Sequence, residues 1–116
     1  MKKIMIVDDE KDICYIFQTF LKIKGYDVEV SYNSTDALNK VKAKRPDIIF
    51  LDLILPDFDG VELASRIRTG ENLKNLKIYL FTVRKRGLIE GEKKLFNGTV
   101  QKPFDFNHIL SILERN

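Results

Sequence analysis

Residues 48–60 read IIFLDLILPDFDG: four apolar residues, an aspartate, three more apolar residues, then an acidic turn opened by Pro56 and closed by Gly60. An acid with apolar neighbours on both sides is not a casual surface residue. The run Ile48–Leu51 is too short for a helix and too uniformly apolar for a half-solvated strand. It fits a strand covered on both faces, as in a parallel sheet. Asp52 then stands where that strand leaves the core.

The same arrangement recurs. Residues 4–10, IMIVDDE, set four apolar residues against three carboxylates, and IYLF at 78–81 is a third continuous apolar run. With 27–31 and 98–101 these give five strands, 3–7, 27–31, 48–51, 78–81 and 98–101. Between them lie stretches of helical period: Ile13, Phe17, Phe20 and Leu21; Ala37, Leu38 and Val41; Leu63, Ala64 and Ile67; Phe106, Ile109, Leu110 and Leu113. Gly25 sits where a left-handed C-terminal cap follows the first helix, Asn33 or Ser34 can cap the second, and Arg45-Pro46 stops it. Strands alternating with helices predict an α/β, doubly wound (βα)5 fold, a five-stranded parallel sheet with helices on both faces.

Composition bounds the function. A chain of 116 residues, 44% hydrophobic, is expected to form one domain over 1–116 with a single core. A net charge of +3 with 32% charged residues of both signs is too mild to imply nucleic acid or membrane as a direct partner. The N-terminal apolar run is shorter than a signal-peptide core, no stretch approaches the length of a membrane span, and Cys14 is alone, so a cytoplasmic protein without disulfides is expected. Cys14 itself reads as a small buried hydrophobe.

Open parallel sheets bind ligands at the carboxyl ends of their strands. Those ends carry Asp8 and Asp9, Asp52, Thr82 and Lys102. Three carboxylates brought together disfavour one another's ionisation, and a divalent cation relieves this. Mg²⁺ takes oxygen ligands and keeps waters, so two carboxylates, a backbone carbonyl and water suffice. With the Lys102 ammonium the set is formally neutral and can accept a phosphoryl group.

The motifs DDE with Asp8 and Asp9, LDLILPDFDG with Asp52, Pro56 and Gly60, FT with Thr82, and KPF with Lys102, Pro103 and Phe104 span nearly the whole chain. In these the chain resembles a response-regulator receiver domain of the chemotaxis CheY-like family. The resemblance implies the flavodoxin-like strand order 2-1-3-4-5 and a phosphorelay function. It makes Asp52 the phosphoacceptor, with Thr82 and Lys102 binding phosphoryl oxygens. Asp9, Asp52 and the backbone carbonyl of Ile54 would ligate Mg²⁺ directly, and Asp8 would act mainly through water. It further implies a cis Lys102-Pro103 bond, and as partners a sensor histidine kinase or phosphotransfer protein and a downstream protein target. Such a domain assists its own phosphorylation and dephosphorylation without being an enzyme in the ordinary sense.

Competing readings fit the same residues less well. A phosphatase with an aspartate nucleophile wants a second carboxylate two residues on, where this chain has Ile54. An EF-hand aligned on Gly60 puts Leu55 and Arg66 at ligand positions. A non-phosphorylated protein-binding relative is opposed by five intact site residues. The last helix leaves no room for a linker, which fits a stand-alone receiver or one trimmed from a longer DNA-binding regulator. Two features depart from the family pattern. Thr99 stands where most receivers carry a switching aromatic residue. The interval from Thr82 to Lys102 is short and contains Gly87 and Gly91, which predicts a short or irregular fourth helix. Arg84, Lys85, Arg86, Lys93 and Lys94 make that interval basic, read as a solvated face, and the solitary His108 offers no metal site.

Overall fold

The computed structural model describes residues 2–70, 73, 75–82 and 88–116. Ten elements alternate along it: β1 (Lys3–Val7), α1 (Lys11–Ile23), β2 (Asp27–Ser31), α2 (Ser34–Lys44), β3 (Ile48–Leu51), α3 (Gly60–Arg68), β4 (Lys77–Thr82), α4 (Glu90–Lys93), β5 (Gly98–Gln101) and α5 (Phe106–Arg115). The strands form one parallel sheet in the order β2-β1-β3-β4-β5. This is the doubly wound flavodoxin-like arrangement.

Side-chain alternation along the strands divides the core in two. Ile4 and Ile6 of β1, with Ile48 and Phe50 of β3, meet Cys14, Phe17 and Leu21 of α1 and Ile109, Ile112 and Leu113 of α5. Met5, Val7, Ile49 and Leu51 point the other way, against Ala37 and Val41 of α2 and Leu63, Ala64 and Ile67 of α3. The first face is aromatic: Phe17 lies edge-on to Phe50, Phe81 and Phe104 at centroid distances of 5.3, 5.8 and 6.0 Å, geometry that aromatic quadrupoles favour. Each continuous apolar run in the sequence therefore serves both layers.

The helix boundaries follow local chemistry. Asn33 caps α2, its side chain accepting the Asp36 amide at 2.8 Å. The helix ends with Arg45 in the left-handed region, φ +48°, before Pro46. Gly25, φ +95°, turns the chain after α1, a conformation open to glycine at no steric cost. The fourth helix is a single turn of four residues. Gly91 lies within it, while Arg84, Lys85, Arg86 and Gly87 fall outside the described residues. Lys93, Lys94 and His108 are exposed.

Candidate functional site

The sheet ladder runs one rung past the strand ends, and this assembles the site. The Asp8 amide donates to the Ser31 carbonyl at 3.0 Å, the Asp52 amide to Val7 at 2.9 Å, and the Lys102 amide to Thr82 at 3.1 Å. Asp8, Asp52, Thr82 and Lys102 thus all lie at one edge of the sheet, and all four are buried. From there the Lys102 side chain crosses the Phe81 ring, its ammonium 5.1 Å from the centroid. The ammonium ends 2.5 Å from Asp8 Oδ2 and 3.2 Å from Asp52 Oδ2. The Lys102-Pro103 peptide bond is cis.

Asp9 and Glu10 take different places at this edge. Asp9 is exposed and faces an open cleft with Tyr32, Asn33, Asp36 and Asp57. Glu10 turns back toward the core instead: its amide donates to Asp8 Oδ1 at 2.9 Å and its carboxylate reaches Lys102 Nζ at 3.3 Å. Oxygens of Asp8, Glu10 and Asp52 lie within 4.8 Å of one another. In the sequence Glu10 is only the third acid of the DDE run, and the fold alone brings it to Lys102. A hard, all-oxygen donor set this close together fits Mg²⁺.

Burial and charge oppose each other here. Burial raises the Asp8 carboxyl from its ordinary value and the Asp52 charge adds to this, against hydrogen bonds from Lys102 and the Glu10 amide. Burial alone would lower Lys102, yet its bonds to Asp8 and Asp52 and their charges hold it above the ordinary lysine value, so it is an ammonium at neutral pH. Cys14, buried beneath, donates its thiol to the Asp8 carbonyl at 3.3 Å, and burial pushes that thiol up to about 12. It is a packing residue with one weak bond to the β1–α1 turn.

The loop from Asp52 to Gly60 is held at both ends. The Gly60 amide donates to the Leu53 carbonyl at 2.7 Å, and a Cβ on Gly60 would collide with the Asp52 carbonyl and the Leu51 side chain. Asp57 accepts the amides of Ser34 and Thr35 at 2.8 and 2.7 Å and the Thr35 hydroxyl at 2.6 Å. Ser34 Oγ also donates to the Phe58 carbonyl. The acidic turn is thereby tied to the N-terminus of α2. Ile54 rides on it with its side chain half exposed.

Comparison with known proteins agrees with this geometry. The family model of the response regulator receiver domain matches residues 4–114. Among solved structures, the chemotaxis response regulator CheY4 of Vibrio cholerae is 29% identical with a TM-score of 0.89, over 99% of this chain and 98% of that one. The response regulator TrrA of Thermotoga maritima, in complex with Mg²⁺–BeF, is 29% identical with a TM-score of 0.88 over the same shares. A CheY-like receiver domain from Methylobacillus flagellatus is 27% identical, TM-score 0.90, again over 99% and 98% of the two chains.

Proposed function

The chain belongs to the response-regulator receiver family, and from that premise we propose that residues 1–116 act as one phosphoacceptor domain in a two-component relay, with Asp52 receiving the phosphoryl group. The observation that carries this is the buried Lys102 ammonium between Asp8 and Asp52. It places a fixed positive charge beside the candidate nucleophile. In the transfer, an Asp52 carboxylate oxygen attacks the phosphorus of a phosphohistidine on a sensor kinase or phosphotransfer protein. The P–N bond breaks, and its electron pair leaves with the imidazole.

The chain's own residues contribute position and charge, which is most of what phosphoryl transfer asks of a protein. Lys102 compensates charge on the transferring oxygens, and Thr82, at the end of β4 beside it, offers a hydroxyl donor. Asp8 and Asp52 of the acidic cluster would hold Mg²⁺, with Asp9 and the Ile54 carbonyl proposed to complete its oxygen ligands. When bound, the ion would neutralise negative charge on the phosphoryl oxygens. The phosphorylated domain then binds a downstream protein partner in the cytoplasm.

Incubation with acetyl phosphate and Mg²⁺, read by intact mass, tests this reading. One phosphoryl group should be added, and chelator or Asp52→Asn should abolish it. An unmodified parent protein, or modification that persists in Asp52→Asn, would overturn the assignment.

A further inference from the structure

An ammonium has three N–H donors, and three carboxylates surround that of Lys102: Asp8 at 2.5 Å, Asp52 at 3.2 Å and Glu10 at 3.3 Å. The three are unequal. The Asp8 side chain has no exposed surface and that of Asp52 is 11% exposed, whereas that of Glu10 is 59% exposed. A buried carboxylate that loses its cation is left without compensation, which is costly. An exposed one is taken up by water, so releasing it costs far less.

A second observation concerns the same residue. Glu10 occupies the N-cap position of α1, where a side-chain oxygen would ordinarily bond the first-turn amides. Its side chain makes no such bond. The carboxylate is turned toward Lys102 instead, at the expense of the cap.

A phosphoryl group on Asp52 brings three strong acceptor oxygens and further negative charge to an ammonium whose donors are already engaged. Phosphorylation itself frees the donor that the Asp52 carboxylate held, so for the phosphoryl group to take a second Lys102 donor, Asp8 or Glu10 must give way. We propose that it is Glu10: its carboxylate is a placeholder that occupies a Lys102 donor in the unphosphorylated state and competes with the incoming phosphoryl group. Glu10 is thus a positioning residue, acting through Lys102, that sets how readily the phosphorylated state is reached. This rests on Asp52 being the phosphoacceptor.

Beryllofluoride binding at saturating Mg²⁺, followed by NMR on the full chain, separates the two claims. Binding by the parent that is lost in Asp52→Asn supports the acceptor reading. Glu10→Gln and Glu10→Ala should then bind beryllofluoride roughly twofold to fivefold more tightly than the parent, the factor expected of an exposed ion pair. The advantage should shrink as salt screens the exposed charge. The Lys102 Nζ signal should also shift in Glu10→Gln before any ligand is added, which a residue serving only α1 would not cause. Equal or weaker beryllofluoride binding by both Glu10 variants would overturn the placeholder role, the weaker case making Glu10 a metal ligand. Binding absent from the parent, or retained in Asp52→Asn, would remove the acceptor reading and the placeholder role together.

Discussion

Asp8 is a carboxylate with no exposed surface beside Asp52, in a site where carboxylates outnumber ammonium groups among the described residues. Folding therefore favours its protonated form, as its raised pKa states. A group of this sign contributes most stability below its unfolded pKa and loses it as pH rises through the folded value. Asp8→Asn removes that penalty while leaving Lys102 two carboxylates. In chelator near neutral pH the variant should be more stable than the parent by about 1 kcal/mol, within the usual range for one substitution. The gap should close toward about pH 4, as the parent's carboxyl protonates. Mg²⁺ should raise the melting temperature of the parent more than that of the variant, because only ligand bound to the folded state stabilises it. Thermal unfolding across pH with and without Mg²⁺ checks this, and a less stable variant in chelator would show that the Asp8–Lys102 pair is net stabilising. Asp8 and Asp52 were legible in the sequence because each directly follows a continuous apolar run. Glu10 was not, since its approach to Lys102 joins residues more than ninety positions apart.

The turn between β3 and α3 shows how one element governs another. Asp57 satisfies two of the amides that the first turn of α2 leaves unpaired, while Asn33 takes a third. Burial works to raise the Asp57 carboxyl, but the Thr35 hydroxyl and the Ser34 and Thr35 amides bring it well below the carboxylate range. The clamp is therefore fully present above the ordinary carboxylate pKa and is lost only as pH falls through that depressed value. Removing it should free the segment that carries the Ile54 carbonyl without touching a carboxylate of the Lys102 cluster. Asp57→Ala is expected to lose about 1 kcal/mol in a urea melt, as for other lost caps. It should also need severalfold more Mg²⁺ for half-saturation in an NMR titration. An unchanged Mg²⁺ midpoint alongside the stability loss would confine the clamp to a structural role. In the sequence Asp57 was one of the two acids in PDFDG. The α2 contact joins residues more than twenty positions apart, and no local pattern encodes it.

The sheet order places the two core layers under different constraints. Helices α1 and α5 close one face over interlocking aromatic rings. On the other face, α2 and α3 give way to a single turn of helix whose flanking Leu88, Leu95 and Phe96 are only partly buried against the core. The (βα)5 alternation was readable because both layers draw on the same apolar runs. The short α4 was readable from its glycine content and the brief interval before Lys102. The strand order had to come from family resemblance, since periodicity records which face a residue takes and not which strand lies beside it. Thr99 sharpens the consequence for signalling. It is exposed on β5, paired with Leu80, and as a small β-branched residue with restricted χ1 it cannot supply the swinging aromatic ring of most receivers. Among the described residues the weakly packed α4 region is the candidate to report on Asp52, because segments with few buried contacts open at the lowest free energy. Beryllofluoride with Mg²⁺ should therefore change amide hydrogen exchange more in residues 88–96 than in α1 or α5, and Thr99→Tyr should alter the size of that change. If exchange in 88–96 stays constant at saturating beryllofluoride while amides around Asp52 respond, the signal leaves the domain by another face.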